Sequence, residues 1–368
     1  MNIKKLTTVA LAAAILLSLT ACGNDSKTED KQSGQNGGTT QITPTGSSNS
    51  EQNSEPQSGN NVSNGDFEIE DGVLVKYHGK AKDVTVPSGV VAIGSFAFNS
   101  TTYVKSVTIP DGVTAINGSA FANCSTLESV TLPDSVTSID AWAFMDCENL
   151  SEINLPDSIT IINSYAFCDC ESLEDVKIPK GVTEINESVF QDCTSLKSVT
   201  IPDSVTRIFD GAFRRCTSLE SISLPESVQQ VDRKAFEGCT SLTNLEVSEN
   251  NQYFSSKDGI LYDKEGSDLR LCSPGKTTVS IPNGVTEISN SAFMNCVNLT
   301  KVTFPNSLTE IEEYAFHSCT SLADITIPDN VKLSGTAVFY DCVNIKASYK
   351  GKVYDFEHLD DLYNAANA

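Results

Sequence analysis

Residues 196–216 read LKSVTIPDSVTRIFDGAFRRC, and this stretch contains the features that decide the fold. Val199 and Ile201 lie two positions apart, so an extended backbone places both on one side and Thr200 on the other. Pro202 ends this strand because proline has no N–H to donate to a neighbouring strand, and Pro-Asp-Ser is typical of a type I turn. The stretch therefore predicts a short strand, a turn and a second extended piece that leads to a phenylalanine.

The same pattern recurs along the chain at a step of 23 residues, with one gap of 57 residues between Pro225 and Pro282. The prolines at the end of the strand are Pro87, Pro110, Pro133, Pro156, Pro179, Pro202, Pro225, Pro282, Pro305 and Pro328. The phenylalanines that share one position are Phe98, Phe121, Phe144, Phe167, Phe190, Phe213, Phe236, Phe293, Phe316 and Phe339. Ten copies at one period indicate a repeat protein in which each copy is one structural unit.

A single copy buries too few apolar side chains to offset the entropy lost when 23 residues become ordered. Stacking corrects this deficit because it adds hydrogen bonds between copies and covers both faces of each one. We therefore predict a mainly β fold in which about ten 23-residue coils stack as a solenoid over residues 66–348.

The copies share the pattern Leu-x-x-Val-x-Ile-Pro-Asp-Ser-Val-x-x-Ile-x-x-x-Ala-Phe-x-x-Cys, which is clearest in Leu127–Cys147, Leu196–Cys216 and Leu219–Cys239. This pattern resembles the BspA-type leucine-rich repeats of bacterial surface proteins, and the resemblance covers about residues 66–360. It implies a leucine-rich-repeat solenoid that binds host or extracellular proteins. Serine or glycine usually stands where the general leucine-rich pattern has asparagine or cysteine, so we do not expect a deep horseshoe with full convex helices.

The chain has twelve cysteines, a number that would suggest a disulfide framework in an exported protein, but their positions favour another arrangement. Nine occupy one repeat position: Cys124, Cys147, Cys170, Cys193, Cys216, Cys239, Cys296, Cys319 and Cys342. Neighbours in such a column have parallel Cβ directions, which do not suit a disulfide, and cysteine is a small buried hydrophobe. We predict a reduced thiol column in the core, as the resemblance also implies. Cys168 and Cys272 lie off this column and are interpreted as incidental thiols.

Residues 1–21 have the features of a bacterial export signal. Lys4 and Lys5 give a positive start, and the apolar run that follows is too short to span a bilayer. The sequence Leu19-Thr20-Ala21-Cys22 resembles the lipobox of bacterial lipoproteins, which implies that Cys22 is acylated and becomes the mature N-terminus. Cleavage by an ordinary signal peptidase, with Cys22 incidental, is the alternative.

Residues 22–65 are predicted to be the lipidated cysteine and a flexible tether, since Ile42 and Val62 are the only aliphatic residues after Cys22. A spacer without a role would have the same physical properties. The prediction is a protein exported from the cytoplasm, anchored by lipid to the bacterial cell envelope and exposed outside the cytoplasm.

Three segments depart from the repeat and are interpreted as caps or an insertion. A hairpin around Asp71-Gly72 is expected to cap the first coil, and a similar hairpin around Asp258-Gly259 lies in an insertion at about 249–278. The insertion either projects as a bulge or divides the solenoid into seven coils and three. Residues 349–368 are predicted to form a C-terminal cap, with a strand over 349–354 and a short helix over 356–366.

Charge and motif content exclude several function classes. The chain has 25 basic and 48 acidic residues, a net charge of −23, which is unsuited to binding nucleic acid. Three scattered histidines give no metal-ligand set, and the sequence contains no catalytic, phosphate-binding or EF-hand motif. We therefore predict neither an enzyme nor a cofactor or metal site.

The remaining candidate for function is the outward side of the predicted sheet. Its polar column is Thr108, Thr131, Asn154, Lys177, Thr200, Ser223, Ser280, Thr303 and Thr326. Regularly spaced polar groups on a rigid surface suit binding of a protein or a glycan, although polar residues must in any case face water and threonine favours strands. Two functions stay open: a surface module for protein binding or adhesion, and a structural or carbohydrate-recognising envelope protein. Protein binding is preferred because the sequence offers no aromatic platform of the kind on which sugars stack: Trp142 is the only tryptophan and is expected near the core.

Overall fold

The computed structural model describes residues 65–368. The predicted signal peptide over 1–21, Cys22 and the predicted tether as far as residue 64 lie outside the described residues. Within the described part, no helix is both long enough and apolar enough to cross a membrane.

The elements are short strands, followed near the end by a 3-10 helix and one α-helix. In chain order they are β1 (Phe67–Glu70), β2 (Val73–Tyr77), β3 (Asp83–Thr85), β4 (Ala92–Ile93), β5 (Ser106–Thr108), β6 (Ala115–Ile116), β7 (Ser129–Thr131), β8 (Ser138–Ile139), β9 (Glu152–Ile153), β10 (Ile161–Ile162), β11 (Asp175–Lys177), β12 (Glu184–Ile185), β13 (Ser198–Thr200), β14 (Arg207–Ile208), β15 (Ser221–Leu224), β16 (Gln230–Val231), β17 (Asn244–Val247), β18 (Phe254–Lys257), β19 (Ile260–Asp263), β20 (Asp268–Cys272), β21 (Thr278–Ser280), β22 (Glu287–Ile288), β23 (Lys301–Thr303), β24 (Glu310–Ile311), β25 (Asp324–Thr326), β26 (Lys332–Leu333), β27 (Lys346–Tyr349), β28 (Lys352–Asp355), the 3-10 helix Phe356–His358 and α1 (Leu359–Ala366).

The first face of the coils is formed by the strand that precedes the repeat proline. Successive strands pair in parallel one repeat apart, as in Val107↔Val130 and Val176↔Val199. Residues 65–368 contain twelve such strands: β3, β5, β7, β9, β11, β13, β15, β17, β21, β23, β25 and β27. The solenoid is thus confirmed, but it has about twelve turns where the sequence predicts ten. The two further strands, β17 and β27, pair with the preceding coil although no proline follows them.

The second face consists of the short strands that follow the proline turn. They too pair in parallel one repeat apart, as in Ile116↔Ile139 and Ile185↔Ile208, and these isoleucines point into the core. The first and second faces therefore enclose the apolar side chains from two sides.

The third face runs from the second-face strand to the repeat cysteine and contains no strand or helix in the coils described. Its backbone is nevertheless bonded along the stack: the Phe121 N–H donates to the Ala143 carbonyl at 2.8 Å, and the Asn123 N–H donates to the Met145 carbonyl at 2.7 Å. In most coils two positions of this face adopt left-handed backbone angles, including Asn123 with φ 59°. Backbone bonding thus takes the place of convex helices, as expected from the altered repeat.

The core is a column of phenylalanine rings, one from each regular coil, all fully buried. Neighbouring ring centroids lie between 4.8 and 5.7 Å apart from Phe98 to Phe236, with nearly parallel planes. The column resumes from Phe293 to Phe339 with spacings of 4.6 and 5.4 Å. Stacking of identical rings holds the coils in register because a slip of one residue would break every ring contact.

The N-terminal hairpin caps the stack as predicted. Strands β1 and β2 pair antiparallel around Asp71 and Gly72, both of which have positive φ, and β2 pairs in parallel with β4. Tyr77 extends the ring column, with its centroid 5.1 Å from that of Phe98. The hairpin therefore supplies both the hydrogen bonds and the apolar contacts that a preceding coil would give.

The insertion divides the solenoid instead of projecting from it. Strands β18, β19 and β20 form an antiparallel layer, and β20 pairs in parallel with β22 of the next coil. Leu261 and Leu271 belong to the core on the N-terminal side, whereas Ile260 and Leu269 belong to a second core on the C-terminal side. Both sides of the layer are buried, so the insertion separates the solenoid into two stacks. Eight first-face strands precede it and four follow it.

Two residues fix the insertion in place. Gly259 has φ +74°, and a Cβ at this position would lie 2.3 Å from the Thr243 carbonyl oxygen, so only glycine fits the turn. Asn251 is completely buried. Its Nδ2 donates to the carbonyls of Pro225 and Val228 at 3.0 and 2.8 Å. Its Oδ1 accepts the backbone N–H groups of Tyr253 and Phe254 at 2.8 and 2.9 Å.

The C-terminal cap differs in detail from the prediction. A single strand over 349–354 is wrong, because β27 and β28 form an antiparallel hairpin around Lys350 and Gly351, which both have positive φ. The predicted helix is present as a 3-10 turn followed by α1. The Tyr363 hydroxyl of α1 accepts the Phe339 N–H at 3.0 Å, the donor that in earlier coils bonds to the following coil.

Candidate binding surfaces

The nine residues predicted to form a ligand-binding column are all exposed on the first face. The parallel pairing places several of them side by side, as in Thr108↔Thr131, Lys177↔Thr200 and Ser280↔Thr303. The structure thus brings these side chains into a column on either side of the insertion, with one residue per coil.

Three further residues belong to the same column and are missing from the prediction. Thr85 pairs with Thr108, Glu246 pairs with Ser223, and Ser348 pairs with Thr326. Thr85 and Glu246 each lie one period from a predicted member, so the repeat spacing alone could have found them. Ser348 lies 22 positions from its partner, outside the strict period.

Charged and hydroxyl side chains beside this column pair along the stack. The Ser106 hydroxyl donates to Asp83 at 2.7 Å, and the Lys197 ammonium forms an ion pair with Glu174 at 2.7 Å. Such pairs join residues 23 positions apart and therefore bridge neighbouring coils. The first face is a polar surface whose side chains are held at the spacing of the backbone.

The third face carries aromatic side chains, which corrects the prediction that Trp142 lies near the core. Trp142 is 40% exposed, and its ring stacks on Tyr165 of the next coil with centroids 6.2 Å apart. Both residues have left-handed backbone angles, with φ 59° and 61°. This position directly precedes the buried Ala-Phe pair, and the left-handed turn directs its side chain outward while the two following residues point inward.

A second aromatic group lies on the third face near the C-terminal end. His317 stacks on Tyr340 with centroids 5.2 Å apart, and Tyr314 meets His317 edge-on at 5.8 Å. Tyr340 is 61% exposed. The two aromatic groups give the third face a different chemistry from the hydroxyl-rich first face.

Acidic residues of the third face share a partly buried site. Burial, with the nearby Asp169 and Glu148 carboxylates, raises the pKa of Asp146 to about 6. Burial also raises the pKa of Asp192, although Arg215, 3.2 Å away, opposes this shift. No group of three or more possible ligands that could hold a metal ion occurs within residues 65–368.

The eleven described cysteines are buried and free of disulfides, in agreement with a reduced column. Burial is the main reason that the pKa values of Cys170 and Cys193 are raised. Cys272 lies closer to this column than its sequence position indicates, because interaction with the Cys272 thiol, together with burial, raises the pKa of Cys296. Strand β20 thus brings Cys272 to the column, whereas the Cys168 thiol donates to the Asp169 carboxylate at 3.0 Å.

The profile of the BspA type leucine rich repeat region matches this chain in six copies, over residues 69–197, 160–258 and 272–353. The chain belongs to this family. The BspA-type repeat thus accounts for the proline, phenylalanine and cysteine positions described above. A search of curated proteins gave no match to the chain.

Solved structures of bacterial leucine-rich repeat proteins share this fold. A leucine rich cell surface protein of Faecalibacterium prausnitzii is 29% identical, with a TM-score of 0.61 over 85% of this chain and 99% of its own. A leucine-rich repeat protein of Bacteroides ovatus is 26% identical, with a TM-score of 0.55 over 81% of this chain and 87% of its own. The pneumococcal vaccine antigen PcpA, 22% identical with a TM-score of 0.52 over 76% and 75%, supports the fold alone. The chain is therefore a BspA-type repeat protein related to bacterial surface proteins.

Proposed function

We propose that this BspA-type protein is a non-enzymatic binding module that engages extracellular or host proteins through its first face and mediates adhesion. The observation that carries the proposal is the column of exposed polar side chains, from Thr108 to Thr326, held at one residue per coil. A protein ligand laid along the stack meets the same chemistry at every coil, so many weak polar contacts add up on a rigid surface. No cofactor takes part in this function.

The proposal includes the cell surface as the site of action. It rests on the export signal and the lipobox-like sequence that ends at Cys22, and on the relation to a leucine rich cell surface protein. A lipid on Cys22 anchors the protein to the cell envelope, and the solenoid is presented outside the cytoplasm. Replacement of Cys22 by alanine should move the protein from the membrane fraction to the soluble fraction. Unchanged retention in the membrane fraction contradicts the lipid anchor.

Binding through the first face has a direct test. Purified full-length protein is passed over immobilised extracellular matrix proteins, and the double variant Thr131→Arg/Thr200→Arg is compared with the parent by surface plasmon resonance. We expect the variant to lose at least tenfold in affinity, because two bulky charges interrupt the column. The matched control Thr137→Arg/Thr160→Arg alters exposed threonines next to second-face strands and should bind like the parent. Equal affinity of both variants contradicts the assignment of this face.

The exposed Trp142–Tyr165 pair favours a second candidate function, recognition of carbohydrate by an envelope protein. Aromatic rings on a protein surface offer apolar faces to sugar rings, and the Tyr165 hydroxyl and Glu187 carboxylate, 3.2 Å apart, supply polar contacts beside them. A glycan array separates the two functions. Glycan binding that Trp142→Ser abolishes and Thr131→Arg/Thr200→Arg leaves unchanged would support this second function.

A further inference from the structure

The insertion opens a cleft on the second face, between the coil of β16 and strand β20. The cleft has a volume of about 520 Å³, and its lining includes Val231, Arg233, Lys234, Arg270 and Ser289. That volume is within the range of ligand sites in proteins. On the third face the two halves stay in contact, because Asn298 Nδ2 donates to the Thr240 carbonyl at 3.1 Å. The opening is therefore confined to the second face.

The cleft exposes an unpaired strand edge. In the coil before β16, the carbonyls of Thr206 and Ile208 accept the N–H groups of Gln229 and Asp232 at 2.8 Å. The carbonyls of Gln229 and Val231 occupy the same positions one coil later, and no hydrogen bond reaches them from any residue of the described part. An unpaired edge of this kind can accept the N–H groups of an added strand.

The charge around the cleft differs from that of the chain as a whole. The chain carries a net charge of −23, yet all of its arginines lie between positions 207 and 270: Arg207, Arg214, Arg215, Arg233 and Arg270. Four of them form ion pairs with carboxylates. Arg233 and the adjacent Lys234 form no ion pair with any residue in 65–368, although Arg233 also lines a neighbouring recess together with Glu312 and Glu313.

The acidic residues of the cleft are already engaged. Asp232 binds Arg207 through both carboxylate oxygens at 3.3 and 3.0 Å. The Asp210 carboxylate accepts the backbone N–H of Lys234 at 3.3 Å, and the Lys234 ammonium takes no part in this bond. The cleft therefore keeps two cationic side chains for a ligand. Arginine recognises carboxylates with a planar pair of donors, so an anionic ligand is favoured here.

We infer that this cleft binds an extended acidic peptide segment of a partner protein. The backbone N–H groups of the segment bond to the Gln229 and Val231 carbonyls, and its carboxylates pair with Arg233 and Lys234. This site is separate from the first face, so it does not depend on the column of exposed polar residues.

The test uses the full chain and two synthetic peptides of equal length, acetyl-(Thr-Glu)4-amide and acetyl-(Thr-Lys)4-amide, followed by fluorescence anisotropy. We expect the acidic peptide to bind at least tenfold more tightly than the basic one, with an affinity that falls as salt is added. Arg233→Glu/Lys234→Glu should weaken binding at least tenfold, and the milder Arg233→Gln should weaken it by a smaller factor. Lys352→Glu, an exposed charge reversal near the C-terminus, should leave it unchanged.

A third peptide tests the strand edge. The acidic peptide with methylated backbone nitrogens keeps its charge but has no N–H groups to donate, and we expect it to bind at least tenfold more weakly. The inference is overturned if the methylated peptide binds as tightly as the unmethylated one, or if Arg233→Glu/Lys234→Glu keeps full affinity. It is also overturned if an acidic polysaccharide binds as tightly as the acidic peptide and displaces it. Thr131→Arg/Thr200→Arg should leave peptide binding unchanged, which separates this result from the outcome of the first-face experiment.

Discussion

The Cys193 Sγ donates a hydrogen bond to the carbonyl oxygen of Phe167 at 3.2 Å, across a separation of 26 residues. The same bond recurs in other coils, as between Cys216 and Phe190 at 3.1 Å and between Cys342 and Phe316 at 2.9 Å. A thiol that donates is protonated, and each bond ties one coil to the preceding phenylalanine. The cysteine column is therefore a structural element of the stack.

Thiol labelling tests this role. In the chain with Cys22→Ser, the native protein should react with Ellman's reagent at fewer than one thiol per chain over minutes, because burial raises the pKa of thiols such as Cys170 and Cys193. Unfolding in guanidinium should expose all eleven described cysteines. Adding Thr200→Cys, on the exposed first face, should give one fast native reaction. Rapid modification of several thiols in the native chain would contradict the buried column.

The phenylalanine column should dominate stability. Phe167→Ala removes a fully buried ring with neighbours on both sides, and we expect a loss of about 3–5 kcal/mol in the free energy of unfolding. Phe167→Leu should cost less because it leaves a smaller cavity. Urea unfolding followed by circular dichroism measures both. Thr160→Ala, on an exposed side chain, should stay within about 0.5 kcal/mol, and an equal loss in all three variants would argue against the column.

Stability should depend on the ionisation of Asp146, whose pKa is raised to about 6. Between pH 3.8, the usual pKa of an aspartate, and about pH 6, the Asp146 carboxyl is protonated in the folded chain and ionised in the unfolded chain. Ionisation of the folded chain at higher pH therefore lowers the free energy of unfolding. Asp146→Asn should therefore be more stable than the parent at pH 7.5, and the advantage should disappear as the pH falls below 4.

The control for this measurement is Asp157→Asn. A hydrogen bond from Lys180 lowers the pKa of Asp157, so its carboxylate favours the folded state at neutral pH. This variant should not be stabilised at pH 7.5. Urea unfolding at a series of pH values gives the comparison, and an advantage of Asp146→Asn that persists at low pH would rule out titration as its cause.

Asn251 should be required for the seating of the insertion. Asn251→Ala leaves the buried Val228 carbonyl and the backbone N–H groups of Tyr253 and Phe254 without their partner, and we expect a loss of about 3 kcal/mol in the free energy of unfolding. The neighbouring Asn250 is exposed, so Asn250→Ala should change stability by less than about 0.5 kcal/mol. Calorimetric unfolding of both variants provides the measurement, and equal effects would refute the anchoring role.

The period of the sequence predicts the coils because phenylalanine, and in most coils proline and cysteine, recur at the same buried or turn positions. It misses β17 and β27, whose pairing depends on the preceding coil and not on a residue that marks them. It also misplaces Trp142, since a left-handed backbone angle, with no preferred residue at that position, directs the ring outward. The cleft is invisible to the pattern because it arises from contacts between segments far apart in the chain.

The antiparallel layer of β18, β19 and β20 contributes one side to each of the two cores. It thus separates two apolar cores, and the two stacks contact each other directly through groups of the third face, such as the Asn298 side chain and the Thr240 carbonyl. Whole coils can be gained or lost on one side by duplication or deletion of 23-residue units while the other side keeps its contacts. The length of such a protein is therefore free to evolve in two independent increments.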